Sequence, residues 1–187
     1  MRYRTILIDP PWPQGKTGRR SVRPRQGQEL DYPTMSLVEI QALPVAGSAA
    51  EDSLCFLWTT DRFLEEAHHI LRGWGFRKHC TFVWVKSTGV CPFSVQFRAE
   101  FLLMGYAGRL RLARIGLPTT FAGKSHYHSQ KPEEAYHLIE TIAYPPRLEL
   151  FARAAREGWC SLGNEIDGQD IRLALSNHIA TDLQIVR

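Results

Sequence analysis

Short apolar runs, separated by polar and turn-rich stretches, recur along this chain in a spacing that predicts alternating strands and helices. Residues 4–8 end in Ile6-Leu7-Ile8, a continuous apolar run of the kind a strand covered on both faces carries. Residues 13–35 then read as a long Gly-, Pro- and Arg-rich loop closing on Asp31-Tyr32-Pro33-Thr34-Met35. Loops of that length inside a compact domain usually carry function. Ser36-x-x-Glu39 is a capping-box pattern opening a short helix with Leu37, Ile40 and Leu43 on its apolar side. Leu54-Cys55-Phe56-Leu57-Trp58 predicts a second buried strand. Thr59, Thr60 or Asp61 is placed to cap the following helix, whose Leu64, Ala67, Ile70 and Leu71 share a face. Gly73-Trp74-Gly75-Phe76 stops it.

Thr81 to Val85 and Glu100 to Met104 predict two more strands, with an irregular stretch from Ser87 to Phe97 between them. Residues 109–128 read as loop. Pro132 suits the first position of a helix, and Glu133 and Glu134 load its first turn with negative charge. Ala135, Leu138, Ile139 and Ile142 fall at i, i+3, i+4 and i+7, a buried helical face. Tyr144-Pro145-Pro146 ends that helix. Leu148 to Phe151 and Trp159 to Leu162 read as strands, the second running into Gly163-Asn164-Glu165. The last twenty residues read as a short amphipathic helix and a tail. Strands alternating with helices predict an α/β layered sheet, and 187 residues fit one domain spanning 1–187.

Composition narrows the classes. Hydrophobic content of 44% and charged content of 22% are those of an ordinary globular chain. No apolar run approaches the length of a membrane span, and no leader peptide is visible. Cys55, Cys80, Cys91 and Cys160 show no C-x-x-C spacing. Cys55, Cys80 and Cys160 sit in apolar, strand-like surroundings and read as reduced packing residues, so a cytoplasmic setting is expected. His126-x-His128 has no matching acidic or cysteine cluster, and no metal site is expected. The net charge of +4 is mildly basic, and part of it is local. Lys16, Arg19, Arg20, Arg23 and Arg25 crowd one stretch with no acidic residue among them, a pattern suited to phosphates.

The most informative chemistry is Asp9-Pro10-Pro11-Trp12, placed directly after the first strand. Two prolines fix φ and carry no N–H, so their carbonyls face few competing donors. Asp9 adds a further acceptor and Trp12 a stacking face. Together they describe a slot for a flat ring bearing an amino group, such as adenine. In open α/β sheets ligands bind beyond the carboxyl ends of strands. Asp9, Asn164 and Glu165 lie at such ends, Arg153 just past one, and Lys131 at a helix start. Taken singly, Lys131, Asn164 or a Glu149–Arg153 pair is an ordinary surface feature; their joint placement makes a site. Gly-rich phosphate loops and nucleophile elbows are lacking.

The chain resembles the N6-adenine methyltransferase family that includes the catalytic subunit of the eukaryotic messenger-RNA adenosine methyltransferase, and it is most similar to short bacterial and phage members. The resemblance runs through Asp9-Pro10-Pro11-Trp12, Tyr32-Pro33-Thr34-Met35, Leu57-Trp58, Gly73-Trp74-Gly75-Phe76, Trp84-Val85-Lys86, Ser129-Gln130-Lys131-Pro132, Glu149-Leu150-Phe151-Ala152-Arg153 and Gly163-Asn164-Glu165. It implies a Rossmann-like fold, a mostly parallel sheet flanked by helices, that uses S-adenosylmethionine. It also implies that Asp9 to Trp12 form the catalytic motif, with Asp9 and the Pro10 carbonyl orienting the adenine amino group. Trp12 would flank the base, Tyr32 would close over it, and Glu100 would be a second acceptor-pocket residue. Lys131 would approach the cofactor's methionine carboxylate or the acceptor nucleotide. Glu149 and Arg153 would meet the cofactor ribose, Asn164 and Glu165 ribose and adenine, and Asp9 would border cofactor and acceptor alike.

The sequence departs from the longer relatives in two places. Only eight residues precede Asp9, whereas those relatives carry an upstream segment contributing to the cofactor adenine site. Ala154-Ala155-Arg156 stands where the eukaryotic subunit has a polar His-Asn pair. The short prokaryotic members favour DNA as acceptor, with Lys16, Arg19, Arg20, Arg23 and Arg25 at its phosphates; the eukaryotic branch methylates RNA. A partner subunit that binds nucleic acid without turnover is the alternative outside the enzyme class. A bacterial cell or a phage-infected host is the expected setting, a homo- or hetero-oligomer is compatible with the chain, and no membrane partner is expected.

Overall fold

The computed structural model describes residues 2–13, 34–90, 95–124 and 130–185. Seven strands form one sheet: β1 (Tyr3–Ile8), β2 (Ala49–Thr59), β3 (Arg77–Val90), β4 (Phe97–Ala107), β5 (Thr120–Ala122), β6 (Arg147–Leu150) and β7 (Trp159–Leu162). Their spatial order is β5-β3-β4-β2-β1-β6-β7. The pairs β1–β2, β1–β6, β6–β7 and β3–β5 are parallel; β2–β4 and β3–β4 are antiparallel. The helices are α1 (Leu37–Gln41), α2 (Val45–Ser48), α3 (Leu64–Gly73), α4 (Glu133–Ile142), α5 (Asn164–Asp167) and α6 (Ile171–Ile185).

Period-two alternation divides the strands between two cores. Ile6, Ile8, Cys55, Leu57, Leu103, Leu148 and Leu150 point to one face and pack against Ile40 of α1, Ala67, Ile70 and Leu71 of α3, and Ile171 and Leu175 of α6. Leu7, Leu54, Phe56, Trp58, Phe82, Trp84, Leu102 and Met104 point to the other, against Ala135, Ile139 and Ile142 of α4. The apolar run of residues 54–58 is therefore continuous because both of its faces are covered.

The expected elements are present, several with different limits. The capping box forms: the Glu39 N–H donates to Ser36 Oγ at 3.3 Å and the Ser36 N–H to Glu39 Oε2 at 2.9 Å. None of the three candidate caps serves α3, because a single 3-10 turn, Asp61–Phe63, intervenes and Phe63 precedes the helix. β3 extends through Val90 into the stretch expected to be irregular, with a register shift between Val85 and Val90, and β4 begins at its far boundary, Phe97. Residues 109–128 are not all loop: β5 adds to the outer edge of β3, pairing Val83 with Thr120. Three residues carry no usable alternation, and only the exposed edge of β3 creates them. α2 and the full length of α6 were likewise not expected.

The topology brings six chain segments to one rim. β1, β2, β6 and β7 run parallel and end there, β3 ends beside them, and antiparallel β4 begins there. Two local devices shape that rim. Phe151, just past β6, has φ of 64°, a left-handed conformation uncommon for a side-chain-bearing residue, and it turns the chain sharply across the strand ends. Gly163, just past β7, lies so close to Ala152 that an added Cβ would sit 2.8 Å from its nitrogen and nearer still to its carbonyl oxygen. Its φ of 174° is ordinary extended backbone, so the requirement for glycine is steric. Gly163→Ala is expected to cost about 1–3 kcal/mol through overpacking of backbone that has nowhere to move. A lowered urea midpoint checks this; an unchanged midpoint would show that the rim accommodates a methyl group.

Candidate functional site

The alternation that builds the cores also sorts the charged residues. Asp9 continues the parity of Leu7, Glu100 that of Leu102 and Met104, Lys86 that of Trp84, and Glu149 lies between Leu148 and Leu150. All four therefore emerge at the rim on the face covered by α4. Lys131, just before α4, meets them there: its Nζ lies 2.9 Å from Asp9 Oδ2 and 3.3 Å from Glu100 Oε2. It also sits 5.2 Å from the centre of the Trp58 ring. Lys86 closes a chain of alternating charge by pairing with Glu100.

Electrostatics follow from this packing. Burial works to push Glu100 up, but the ammonium groups of Lys131 and Lys86 outweigh it and hold the carboxyl below its usual range. Burial likewise works against the charge on Lys131, and Asp9 and Glu100 overcome it, raising its pKa. Glu149 differs. Burial dominates and pushes it up to about 6, against a hydrogen bond that Tyr136 donates to its Oε1 at 2.6 Å. Tyr136 is itself pushed up, by burial and by the Glu149 charge. Arg156 stacks over the Tyr136 ring at 3.8 Å and pairs with Glu133.

The Asp9–Trp12 segment is more tightly tied than its sequence indicates. The Trp12 N–H donates to the Pro10 carbonyl at 2.8 Å, and the Met35 N–H donates to the Pro11 carbonyl at 2.9 Å. One lone pair of each oxygen is thus already used, and the second remains for another donor. Trp12 is half-buried rather than exposed. Its indole Nε1–H donates to the Trp58 carbonyl at 3.0 Å, and its ring stacks on Phe63 with centroids 5.3 Å apart and planes 11° apart.

These groups line a cleft of about 950 Å³. Asp9, Pro10, Pro11, Trp12, Glu100 and Lys131 line it together with Arg153, Asn164 and Glu165. Arg153 Nε lies 3.7 Å from Glu165 Oε1. Gly168 and Ile171 also line it, as does an ion chain in which Arg172 bridges Asp170 at 2.7 Å and Glu39 at 3.2 Å, tying α1 to α6. A smaller cavity of about 390 Å³ shares Asp9, Lys131, Phe151 and Arg153 with the cleft and adds Gln130, Tyr136, Glu149 and Arg156. The structure thus brings together Asp9, Pro10, Pro11, Trp12, Glu100, Lys131, Glu149, Arg153, Asn164 and Glu165. Tyr32, Lys16, Arg19, Arg20, Arg23 and Arg25 lie outside the described residues, as do Cys91, His126 and His128. Lys86, Phe63, Tyr136 and the start of α6 were missed as site residues. Lys86 had a signal in its spacing from Trp84, two residues along one strand; the others depend on tertiary placement.

Cys55, Cys80 and Cys160 are free thiols. No helix among the described residues is long and apolar enough to cross a membrane.

With this geometry in view, the chain belongs to the MT-A70 family, whose model matches residues 3–165. An N(6)-adenosine-methyltransferase MT-A70-like protein of Arabidopsis thaliana is 32% identical over 89% of this chain and 24% of its own length. The human N(6)-adenosine-methyltransferase catalytic subunit METTL3 is 27% identical over 89% of this chain and 29% of its own. The type II methyltransferase M.MunI of Mycoplasma sp is 29% identical over 95% of this chain and 84% of its own length. The chain spans about a quarter of the plant relative and most of the bacterial one.

The raised Glu149 carboxyl has a consequence for stability. Its folded value of about 6 exceeds the ordinary 4.5, so the folded state holds this proton more tightly than the unfolded chain does. Ionising it costs stability as pH rises from about 4.5 to about 6, and the cost is constant above that interval. Glu149→Gln keeps an acceptor for Tyr136 and never ionises. Relative to wild type it should gain on the order of 1–2 kcal/mol between about pH 4 and about pH 7.5. Urea unfolding at the two pH values checks this; an equal difference at both would refute it.

Proposed function

We propose that this protein is an S-adenosylmethionine-dependent N6-adenine methyltransferase acting on nucleic acid, with DNA the favoured acceptor. The observation that carries the reading is the placement of Asp9, with the second lone pair of the Pro10 carbonyl, in the lining of a cleft large enough for cofactor and base. The residues present suit such a cofactor. Carboxylates on Asp9, Glu149 and Glu165 accept from hydroxyl and amino groups, and Lys131, Arg153 and Asn164 donate to carboxylate and ring nitrogen. A volume of about 950 Å³ lies near the upper end for ligand pockets, roughly 300–1,000 Å³.

When bound, S-adenosylmethionine supplies a methyl group on a positively charged sulfur. The chain's own residues prepare the acceptor. The lone pair of an adenine amino nitrogen is conjugated with the ring, which makes it a poor nucleophile. Asp9 and the Pro10 carbonyl accept its two N–H bonds, favouring a tetrahedral nitrogen and offsetting the positive charge it develops. Asp9 need not take a proton beforehand, because the methylated nitrogen loses one readily afterwards. Glu100 borders the acceptor pocket and is kept ionised by Lys86 and Lys131. Glu149 and Arg153 face the cofactor ribose, and Asn164 and Glu165 its ribose and adenine. Lys131 serves the cofactor carboxylate or the acceptor nucleotide.

DNA is favoured because the bacterial type II methyltransferase is covered over most of its length, whereas the adenosine methyltransferases are covered over less than a third. The basic residues Lys16, Arg19, Arg20, Arg23 and Arg25 are assigned to phosphate contacts from the sequence alone. In duplex DNA the target adenine must leave the stack to reach Asp9. Asp9→Ala and Trp12→Ala are each expected to remove methyl transfer, with Asp9→Ala leaving a cooperative unfolding transition. Labelled-methyl transfer to DNA and RNA oligonucleotides of matched sequence is the test. Turnover by Asp9→Ala equal to wild type would refute the assignment, and methylation of RNA alone would replace DNA with the RNA reading.

A further inference from the structure

A phenol is locked behind one of the rim carboxylates. Tyr136, on α4, donates its hydroxyl to Glu149 Oε1 at 2.6 Å. Two neighbours fix its ring. The Arg156 guanidinium lies 3.8 Å from the ring centre, and the Trp159 ring meets it edge-on, with centroids 5.9 Å apart and planes at 84°. Both neighbours are themselves tied to α4, Arg156 through Glu133 and the Trp159 indole N–H through Glu140 Oε1 at 2.8 Å. A side chain gripped at its ring and its hydroxyl has little rotamer freedom left, so the carboxylate it bonds is held as well.

Among the described residues Tyr136 is the one hydrogen-bond donor to Glu149, and it takes Oε1. Oε2 keeps both of its lone pairs for a ligand. Glu149 is 8% exposed and lines the smaller cavity, which shares Asp9, Lys131, Phe151 and Arg153 with the main cleft. In the sheet it lies between Leu7 of β1 and Ser161 of β7, neither of which carries charge. The charged groups around it are Asp9 past β1, Lys131 and Glu133 at the start of α4, and Arg153 and Arg156 past β6. None of the described residues lining the cavity is a histidine.

We propose that Tyr136 is a positioning residue, which presents the Glu149 carboxylate to the ribose hydroxyls of the cofactor and so sets how strongly that sugar is held. The proposal rests on the S-adenosylmethionine reading above. Tyr136 acts through Glu149 and takes no part in proton or methyl transfer.

Orientation and ionisation are linked. The Tyr136 hydrogen bond favours the charged carboxylate, burial opposes it, and the balance stands at about 6. A ligand that prefers the charged carboxylate binds with constant affinity above that pH and more weakly below it. Without the hydroxyl the charged form loses support, so the bend moves to higher pH. Lys131 titrates above 10.5 and Glu100 below 4.5, so neither changes charge across this interval.

Calorimetric titration of the whole chain with S-adenosylhomocysteine and its 2′,3′-dideoxy analogue, from about pH 5 to about pH 8, tests the proposal. In wild type S-adenosylhomocysteine should weaken below about pH 6, and the analogue should show no bend. Tyr136→Phe keeps the ring against Arg156 and Trp159 and should move the bend up by about one pH unit. At about pH 8 it should weaken S-adenosylhomocysteine about three- to tenfold and the analogue by less than about twofold. Glu149→Gln should abolish the bend. A Tyr136→Phe profile that superimposes on wild type, or a wild-type profile without a bend, would overturn the positioning role and leave the cofactor reading intact. Equal weakening of both compounds would make Tyr136 a structural residue and also overturn it. Wild type that binds neither compound would overturn the cofactor reading and this proposal together.

Discussion

The Lys131 ammonium, enclosed between Asp9 and Glu100, is the interaction on which the rest of the site depends. Strand alternation forces carboxylates from three different strands onto one face at one rim, where their charges repel and their burial is costly. A single cation between two of them resolves the conflict, and Lys86 extends the solution to the outer side of Glu100. The pairing also fixes α4 against the sheet from its first turn, because Lys131 immediately precedes it. Without that cation Glu100 would lose one of the two influences that keep its pKa low.

Glu149 shows the same rim without such a solution. It receives a neutral hydroxyl from Tyr136 where Asp9 and Glu100 receive an ammonium; burial pushes its carboxyl up, and the Tyr136 hydrogen bond offsets only part of that. Two buried carboxylates on one face of one sheet thus shift in opposite directions, because two ammonium groups outweigh burial at Glu100 and none does at Glu149.

Much of this was legible in the sequence. The runs at residues 4–8 and 54–58 announced the central strands because their positions are apolar on both parities. Ala135, Ile139 and Ile142 announced α4 by their helical period. Asp9 to Trp12 stood out because an acidic residue, two prolines and an aromatic at a strand end have few purely structural uses. Other features were not legible, for physical reasons. β5 exists only as an addition to an available edge, and the turn at Asp61–Phe63 displaced every expected cap. The partners of Pro10, Pro11 and Trp12 are backbone and ring contacts that no pattern encodes. The Lys131–Asp9 pair joins the first strand to the fourth helix, and only the assembled sheet puts them within 3 Å.

The stacking of Trp12 on Phe63 carries a directional consequence. One π-face is spent on a phenyl ring and the indole nitrogen is anchored to the Trp58 carbonyl, so the ring plane is fixed from two directions. Any further ring that stacks on this indole does so on the face turned away from Phe63.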